Sequence, residues 1–282
     1  MTATRLFLLA GDPVAHSKSP AMHMAAFRAL GMPHTYEAMS VDASAFRSLV
    51  MALRRGQIAG MNVTVPHKRL ALALADVHDP IATAADAANT LARDDDGRIL
   101  AFNTDVPALE AELEAMSVRA RGAEHALVLG SGGAARAAVI ACERLGVEHV
   151  TVRARDVTRA RARMSGLGAL APKVTIEPLV AAPASDATLG LVIQATSAGM
   201  SGLDPGDHVA EAVAWDFVPT SALAYDVVYA PALTPFVAAA RARGLHAESG
   251  IGMLVRQGAL AFERWLGVTA PLAEMRAAAS AV

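Results

Sequence analysis

Lysine is rare in this sequence of 282 residues, so each lysine invites a chemical explanation. Only Lys18, Lys68 and Lys173 are lysines among the 25 basic residues, and the other 22 are arginines. Arginine keeps its proton throughout the useful pH range, whereas lysine can be tuned to release one. Chance placement is the simplest explanation for any single position, but a lysine here is a candidate for proton transfer.

Lys68 ends the segment Asn62–Lys68, in which a strand is expected to give way to a helix. Thr64 would lie at the carboxyl end of that strand, where open α/β sheets bind ligands. A helix N-terminus disfavours a cation, which suits a general acid or base. Asp105 follows Asn103-Thr104 in a similar setting. It could be a favourable acid in a first helical turn, or a carboxylate that orients Lys68 in a shared cleft.

Two serines lie in the segment Ser17–Pro20, where the first helix is expected to begin. Ser19 as the N-cap residue before Pro20 would be a sufficient structural explanation. Alternatively, the Ser17 and Ser19 hydroxyl groups could bind a carboxylate or sugar-like hydroxyl groups. We expect His67 to be a capping or surface residue and predict no metal site, because no second ligand stands at helical spacing.

A glycine turn at Gly130–Ala135 follows an apolar strand at His125–Leu129 and precedes a helix. The first glycine permits a tight turn, the second lets the backbone approach a pyrophosphate, and the small Ala135 lets helix and strand pack closely. The helix N-terminus offers N–H groups to phosphates. The pattern predicts dinucleotide binding, with a purely structural turn as the alternative.

The end of the next strand, about 25 residues after Gly130, is where such a unit selects its cofactor. An acid there binds the ribose 2′-hydroxyl of NAD, whereas an arginine binds the 2′-phosphate of NADP. Arg153, Arg155 and Arg159 outnumber Asp156. This favours NADP, although any one of these arginines could belong to a solvated charge cluster.

Strand and helix patterns alternate along the whole chain. Strands are expected at Arg5–Ala10, Gly60–Val65, Leu91–Arg93, Arg98–Phe102, His125–Leu129, His149–Val152, Leu189–Gln194 and Ala224–Val228. Helices are expected from Ser19 to Gly31, at His67–Asp76, from Thr104 through Leu113, from the glycine turn to about Leu145, and at Gly252–Leu266. This alternation is typical of an α/β fold with mostly parallel sheets and crossover helices. A domain boundary is predicted near residue 104.

The composition narrows the class of protein further. With 54% hydrophobic and 18% charged residues, the chain can bury a sizeable core. A net charge of −2 gives no electrostatic reason to expect nucleic acid or an anionic membrane as partner. The single Cys142 excludes an internal disulfide. The apolar run Leu6–Ala10 is too short for a secretory segment, and no apolar run could span a bilayer, so we expect a soluble, cytoplasmic protein.

Taken together, ordered segments between Gly11 and about Gly267 resemble the shikimate dehydrogenase family. These segments are Gly11–Pro13 with Ser17–Pro20, Asn62–Lys68, Ala88–Thr90, Asn103–Asp105, Ala195–Met200, Asp226–Pro231 with Thr234-Pro235, and Gly250–Gln257. The resemblance implies NADPH-dependent reduction of 3-dehydroshikimate to shikimate, with Lys68 and Asp105 as catalytic residues. It also implies two α/β domains with a cleft between them. Residues 1–104, completed by C-terminal helices in 245–282, would bind substrate, and residues 105–244 would form a Rossmann-type NADP-binding domain.

The resemblance also assigns binding residues. Substrate would be bound by Ser17, Ser19, Thr64, Asn89, Tyr229 and Gln257. The cofactor would be bound by Gly130, Ser131, Gly132, Gly133, Ala134, Ala154, Arg155, Arg159, Thr196, Val227 and Gly250. A monomer or a homodimer is expected.

Departures from the family pattern leave two alternatives open. Ala154-Arg155-Asp156 stands where the family usually has Asn-Arg-Thr, and Asp156 would repel a 2′-phosphate. Gln194 replaces a usual asparagine. An NAD-dependent quinate/shikimate dehydrogenase is therefore one alternative, although Ser19 in place of threonine favours shikimate over quinate. A non-catalytic NADP-binding sensor is the other, and it predicts loss of the lysine–aspartate pair, which is present.

Overall fold

The structure is a computed structural model that describes residues 3–118, 122–167, 173–182, 189–202 and 204–281. Its internal contacts divide the chain into two units. The first unit comprises Met1–Ala108 and Leu254–Val282, and the second comprises Leu109–Met253. The sequence placed the boundaries near residues 104 and 244, whereas the contacts place them at 108 and 253.

Strands and helices alternate along the chain. The strands are β1 Leu6–Gly11, β2 Thr35–Ser40, β3 Gly60–Val63, β4 Val77–His78, β5 Thr90–Arg93, β6 Ile99–Phe102, β7 His125–Leu129, β8 His149–Ala154, β9 Lys173–Pro178, β10 Leu189–Gln194, β11 Leu223–Asp226 and β12 His246–Ser249. The helices are α1 Ser19–Ala29, α2 Ala43–Arg54, α3 Lys68–Leu74, α4 Pro80–Ala85, α5 Asp105–Ala115, α6 Gly133–Arg144, α7 Val157–Met164, α8 Asp207–Glu211, α9 Pro235–Ala242, α10 Ile251–Leu266 and α11 Leu272–Ala281, with a 3-10 helix at Trp215–Phe217. The predicted α/β fold is confirmed.

The sheet of the first unit has the order β2-β1-β3-β5-β6-β4 within the described residues. Strands β2, β1 and β3 are parallel, β5 is antiparallel to both of its neighbours, and β6 is parallel to β4. The carboxyl ends of β1, β3 and β6 therefore lie at the same edge as the start of β5. This topology gathers the segments that follow β1, β3 and β6, together with the residue before β5, at one edge of the sheet.

The sheet of the second unit is parallel throughout, with the order β12-β11-β10-β7-β8-β9 within the described residues. Numbered from β7, this is the 3-2-1-4-5-6 order of doubly wound dinucleotide-binding domains. The order reverses between β7 and β10, so the turns that follow these two strands form the crevice where such sheets bind ligands. The central strand β7 is fully buried, as a parallel strand with both faces covered must be.

Most of α10, from Leu254 onward, and all of α11 belong to the first unit. Trp265 packs on Gly60 of β3, where an added Cβ would come within 2.6 Å of the indole ring. Its Nε1 donates a hydrogen bond to the carbonyl oxygen of Leu91 at 3.0 Å. Helix α11 packs against α1. The end of the chain therefore completes the unit that its beginning forms.

One local prediction was wrong, and a second was right only in part. Ser19 does not cap α1, because Lys18 occupies the N-cap position and the N–H of Ser19 donates to Ser17 Oγ at 3.2 Å. His67 occupies the N-cap position of α3, as expected of a capping residue, but its side chain makes no capping hydrogen bond and it is not at the surface. Its ring is buried and stacks on Phe46 with centroids 4.8 Å apart, and its Nε2 lies 2.7 Å from a backbone carbonyl oxygen. In the part of the chain that the structure describes, no helix is long and apolar enough to cross a membrane.

Candidate active site

Lys68 and Asp105 meet at the carboxyl edge of the first sheet. Each is the first residue of a helix, Lys68 of α3 and Asp105 of α5. Lys68 Nζ donates to Asp105 Oδ2 at 2.6 Å, and the two side chains are 20% and 11% exposed. The pair is therefore mostly shielded, and part of the lysine side chain remains exposed. A charged donor held by a carboxylate can deliver a proton to a bound substrate.

The Asp105 carboxylate is held from several directions. Asn103 Oδ1 accepts hydrogen bonds from the N–H groups of Asp105 and Val106, at 3.0 and 3.2 Å, and so caps α5. Asn89 Nδ2 donates to Asp105 Oδ1 at 2.8 Å, which leaves Oδ2 to Lys68. Each carboxylate oxygen thus has its own donor, which fixes the orientation of the acid.

Asn89 is the centre of this arrangement rather than an isolated polar residue. It is 2% exposed. Its Nδ2 also donates to Thr104 Oγ1 at 2.9 Å, and its Oδ1 accepts from the N–H of Thr104 at 2.7 Å. Both amide hydrogens therefore act on protein groups, and the side chain orients Asp105.

A buried polar chain continues behind Asn89, and sequence reasoning missed it. Tyr36 donates to Asn62 Oδ1 at 2.8 Å, and Asn62 Nδ2 donates to Thr90 Oγ1 at 3.1 Å. Thr90 Oγ1 lies 3.3 Å from Asn89 Oδ1. Burial raises the pKa of the Tyr36 hydroxyl well above its ordinary value, and a hydrogen bond with Ser19 acts in the opposite direction. A polar residue inside an otherwise apolar strand, as Asn62 is in β3, was the one weak signal for this chain.

Of the predicted substrate residues of the first unit, Ser17, Ser19 and Thr64 lie in the segments that follow β1 and β3 at this edge, and Gln257 lies in α10. Ser19 is buried, Ser17 and Thr64 are half-buried, and Gln257 Nε2 donates to its own helix at Leu254, 2.9 Å away. Gly11 allows the close approach of Thr64, because an added Cβ would come within 2.2 Å of Thr64 Cγ2. Glycine at the end of β1 is therefore required by packing.

Lys18 lies between the two serines and contacts the last helix of the chain. Its Nζ donates to the carbonyl oxygen of Ala279 in α11 at 2.9 Å. This contact ties the serine segment to the last helix of the chain.

The glycine turn of the second unit has the shape that a dinucleotide needs. Gly130 has φ +110°, and an added Cβ would meet Thr196 Cγ2 at 2.8 Å and Ala195 O at 3.0 Å. The turns after β7 and β10 therefore touch, and only glycine fits. Gly132 occupies the N-cap position of α6 and has no side chain with which to occupy the N–H groups of the first turn.

The end of β8 and the segment that follows it place in different settings three arginines that the sequence grouped together. Arg153 is buried, and its guanidinium contacts Glu177 and two backbone carbonyl groups. It is a structural residue. Arg155 and Arg159 are exposed, and neither guanidinium group has a hydrogen-bond or ion-pair partner among the described residues. Asp156 caps α7 by accepting from the N–H of Arg159 at 2.9 Å.

Other predicted cofactor residues border the same sheet edge. Gly250 packs so closely on Val227 that an added Cβ would come within 2.2 Å of Val227 O. Gln194 shapes the turn after β10, because its Oε1 accepts from the N–H of Thr196 at 2.5 Å and its Nε2 donates to the carbonyl oxygen of Ala198 at 2.8 Å. Tyr229 is half-buried in the segment after β11.

Next to this segment, Asp226 is a buried carboxyl group at the end of β11. It accepts hydrogen bonds from Thr234 Oγ1 at 2.5 Å and from the N–H of Val228 at 2.9 Å. Burial raises its pKa to about 6, against the smaller opposing effect of these two bonds.

A doubly wound sheet with this glycine turn, and a lysine–aspartate pair at the edge of a second α/β sheet, define a dinucleotide-dependent oxidoreductase. Comparison with known proteins narrows the class. The model for the shikimate dehydrogenase substrate binding domain matches residues 9–91, and the model for the shikimate 5′-dehydrogenase C-terminal domain matches residues 250–279.

Relatives of similar length match nearly the whole chain. The shikimate dehydrogenase (NADP(+)) of Methylobacterium radiotolerans is 42% identical over 274 residues, covering 94% of this chain and 92% of that protein. The shikimate 5-dehydrogenase of Thermus thermophilus, solved in complex with NADP(H) and shikimate, is 35% identical with a TM-score of 0.84, covering 98% of this chain and 99% of that one. The 5-ketofructose reductase of a Gluconobacter species is 26% identical with a TM-score of 0.88, covering 100% and 99%. This chain belongs to the shikimate dehydrogenase family.

Proposed function

We propose that this protein catalyses the reversible NADPH-dependent reduction of 3-dehydroshikimate to shikimate, a step in the biosynthesis of chorismate and the aromatic amino acids. The observation that carries the proposal is the 2.6 Å contact between Lys68 and Asp105, reached from positions 37 residues apart. The NADP-dependent shikimate dehydrogenases at up to 42% identity support the substrate and the cofactor.

The first unit is the substrate-binding domain in this proposal. The hydroxyl groups of Ser17 and Ser19 bind the carboxylate, because two donors close together at a helix start match its two oxygens. Thr64 and Gln257 bind ring hydroxyl groups. Tyr229, in the second unit, is the remaining residue that the family resemblance assigns to substrate. Asn89 contributes through Asp105, since its amide hydrogens are already committed to protein acceptors.

Lys68 acts as the general acid. As the carbonyl carbon is reduced, negative charge develops on the carbonyl oxygen, and the Lys68 ammonium group neutralises it and transfers a proton. Asp105 keeps Nζ aimed at that oxygen through the contact at 2.6 Å. In the reverse direction the same amine accepts the proton of the substrate hydroxyl group.

The second unit fits NADP. Gly130 and Thr196 form the close turn. The N–H groups at the start of α6 would bind the pyrophosphate, and Arg155 with Arg159 would hold the 2′-phosphate. A cation in the first turn of a helix is unfavourable by itself. Arg159 is such a residue in α7, and a phosphate would offset this cost. Bound NADPH supplies the hydride for the reduction.

Asp156 is compatible with this choice despite its charge. One of its oxygens accepts from the N–H of Arg159, so the carboxylate has a structural task at the start of α7. Asp is among the most favourable N-cap residues. The capping role explains why an acid stands here without any contact to a ribose. The presence of Asp156 is therefore no argument for NAD over NADP.

A steady-state assay tests the proposal. The purified protein should oxidise shikimate with NADP faster than with NAD, and should oxidise quinate poorly. It should reduce 3-dehydroshikimate with NADPH in preference to 5-ketofructose, since the shikimate dehydrogenases of M. radiotolerans and T. thermophilus are 42% and 35% identical to this chain, against 26% for the 5-ketofructose reductase. Turnover of 5-ketofructose but not of 3-dehydroshikimate would contradict the substrate assignment. Binding of NADPH without turnover of any of the tested substrates would favour a non-catalytic sensor. A cytoplasmic location and a monomeric or homodimeric state remain predictions from the sequence.

A further inference from the structure

Arg163, near the end of α7, reaches the glycine turn. Its Nη1 donates to the carbonyl oxygen of Ser131 at 3.3 Å, and its side chain is half-buried. Ser131 lies between Gly130 and Gly132, in the turn that precedes the first N–H groups of α6. The guanidinium group therefore holds the one non-glycine peptide of a turn whose glycines would otherwise leave it conformationally free.

A second arginine makes the reciprocal contact. Arg136, in the first turns of α6, is 8% exposed, and its Nη1 donates to the carbonyl oxygen of Arg163. Each arginine thus donates to the backbone of the segment that carries the other. Helix α7 carries Arg159 near its beginning. Near its end, these two hydrogen bonds connect it to the glycine turn and to α6.

We propose that Arg163 is a positioning residue for the pyrophosphate of the dinucleotide. By holding the Ser131 carbonyl group it keeps the turn in the conformation in which the N–H groups at the start of α6 face the phosphates. This inference rests on the proposed function and deepens it, because it adds a residue that the glycine pattern did not predict. The pyrophosphate is common to NADP and NAD, so Arg163 serves both cofactors equally. Arg155, which would hold the 2′-phosphate, serves NADP alone.

The test is fluorescence titration of the full-length protein with NADPH and with NADH. Arg163→Ala should weaken both cofactors by the same factor of about ten, the effect of losing one charged hydrogen bond. Arg161→Ala is the matched control, because Arg161 is an exposed arginine of the same helix. It removes the same charge and should leave both affinities close to wild type. Arg155→Ala should weaken NADPH alone.

Arg163→Lys guards against a variant that fails to fold. Lysine keeps a cationic donor for the Ser131 carbonyl group but loses the planar fork, so both affinities should fall equally and by only about threefold. The proposal is overturned if both Arg163 variants bind NADPH and NADH as wild type does. It is also overturned if the loss is confined to NADPH, which would make Arg163 a ligand of the 2′-phosphate. Wild-type protein that binds neither cofactor would instead overturn the proposed function.

Discussion

At the scale of single residues, the hydrogen-bond partners of each polar atom show which side chains serve the structure and which can bind a ligand. Asp105 divides its two oxygens between Lys68 and Asn89. Arg153, which looked equivalent to its neighbours in the sequence, uses its donors on Glu177 and backbone carbonyl groups. The residues left with unoccupied donors are the ones that can bind a ligand, and Arg155 is among them.

Arg155→Ala should weaken NADP binding by ~2 kcal/mol while sparing NAD. The variant removes charged hydrogen bonds to the 2′-phosphate, which NAD lacks, and such bonds are typically worth ~1.5–3 kcal/mol. The measurement is the KM for each cofactor with shikimate saturating. An equal loss with both cofactors would show that Arg155 does not recognise the 2′-phosphate.

Asp156→Thr should leave NADP binding unchanged or modestly tighter. Threonine can still cap α7, while the negative charge next to Arg155 is removed. Asp156→Ala is the control, since it removes the charge and the cap together and should destabilise the protein by ~1 kcal/mol. If the wild-type protein prefers NAD and Asp156→Thr abolishes that preference, then the carboxylate binds the ribose and the cofactor assignment is wrong.

At the scale of elements, the sequence predicted the strands around the glycine turn well. The bounds of β7 and β10 agree residue for residue with the prediction, because both are short apolar runs between clear turn signals. Strand β2 and helix α2 were not predicted. In β2 the exposed Met39 blurs the alternation of apolar and polar residues. In α2 the signal was present, because Phe46, Val50 and Leu53 are buried at helical spacing, and the sequence reading overlooked it.

The chain of Tyr36, Asn62 and Asn89 was beyond reach for a different reason. Its members are 26 and 27 residues apart in the sequence and meet only through the order of strands in the first sheet. The order of strands in a sheet cannot be deduced from the spacing of residues along the chain. The same limit applied to Lys68 and Asp105, which the sequence nominated separately but could not bring together.

Lys18→Met should destabilise the first unit by ~0.3–1 kcal/mol at low ionic strength. Lys18 Nζ lies on a carbonyl group at the C-terminal end of α11, where a cation interacts favourably with the helix dipole. The effect should shrink as salt is added. Urea unfolding measures it, with Lys173→Met as control because Lys173 is an exposed lysine at the start of β9. Equal effects of the two substitutions would deny Lys18 this role.

At the scale of the whole molecule, the buried carboxyl group of Asp226 couples stability to pH. Its pKa is raised from 3.8 to about 6, mainly by burial. The folded state therefore binds a proton more tightly than the unfolded state. The resulting stabilisation is complete below pH 3.8 and is lost as the pH rises through about 6, a change of ~3 kcal/mol.

Asp226→Asn should remove this dependence. An amide stays neutral, and the Thr234 hydroxyl group can turn to accept from it. The free energy of unfolding of the variant minus that of the wild type should increase between about pH 4 and 7 and then level off. Parallel pH profiles for the two proteins would mean that Asp226 is not the group responsible.

The role of Lys68 as proton donor is tested most directly by the kinetics of Lys68→Ala in shikimate oxidation with NADP. General acid–base catalysis contributes ~10²–10⁴-fold, so kcat should fall by at least ~10²-fold with little change in the KM for shikimate. Lys173→Ala, which removes a lysine far along the chain, should behave as wild type. A large rise in KM at unchanged kcat would contradict the mechanism and make Lys68 a residue that only binds substrate.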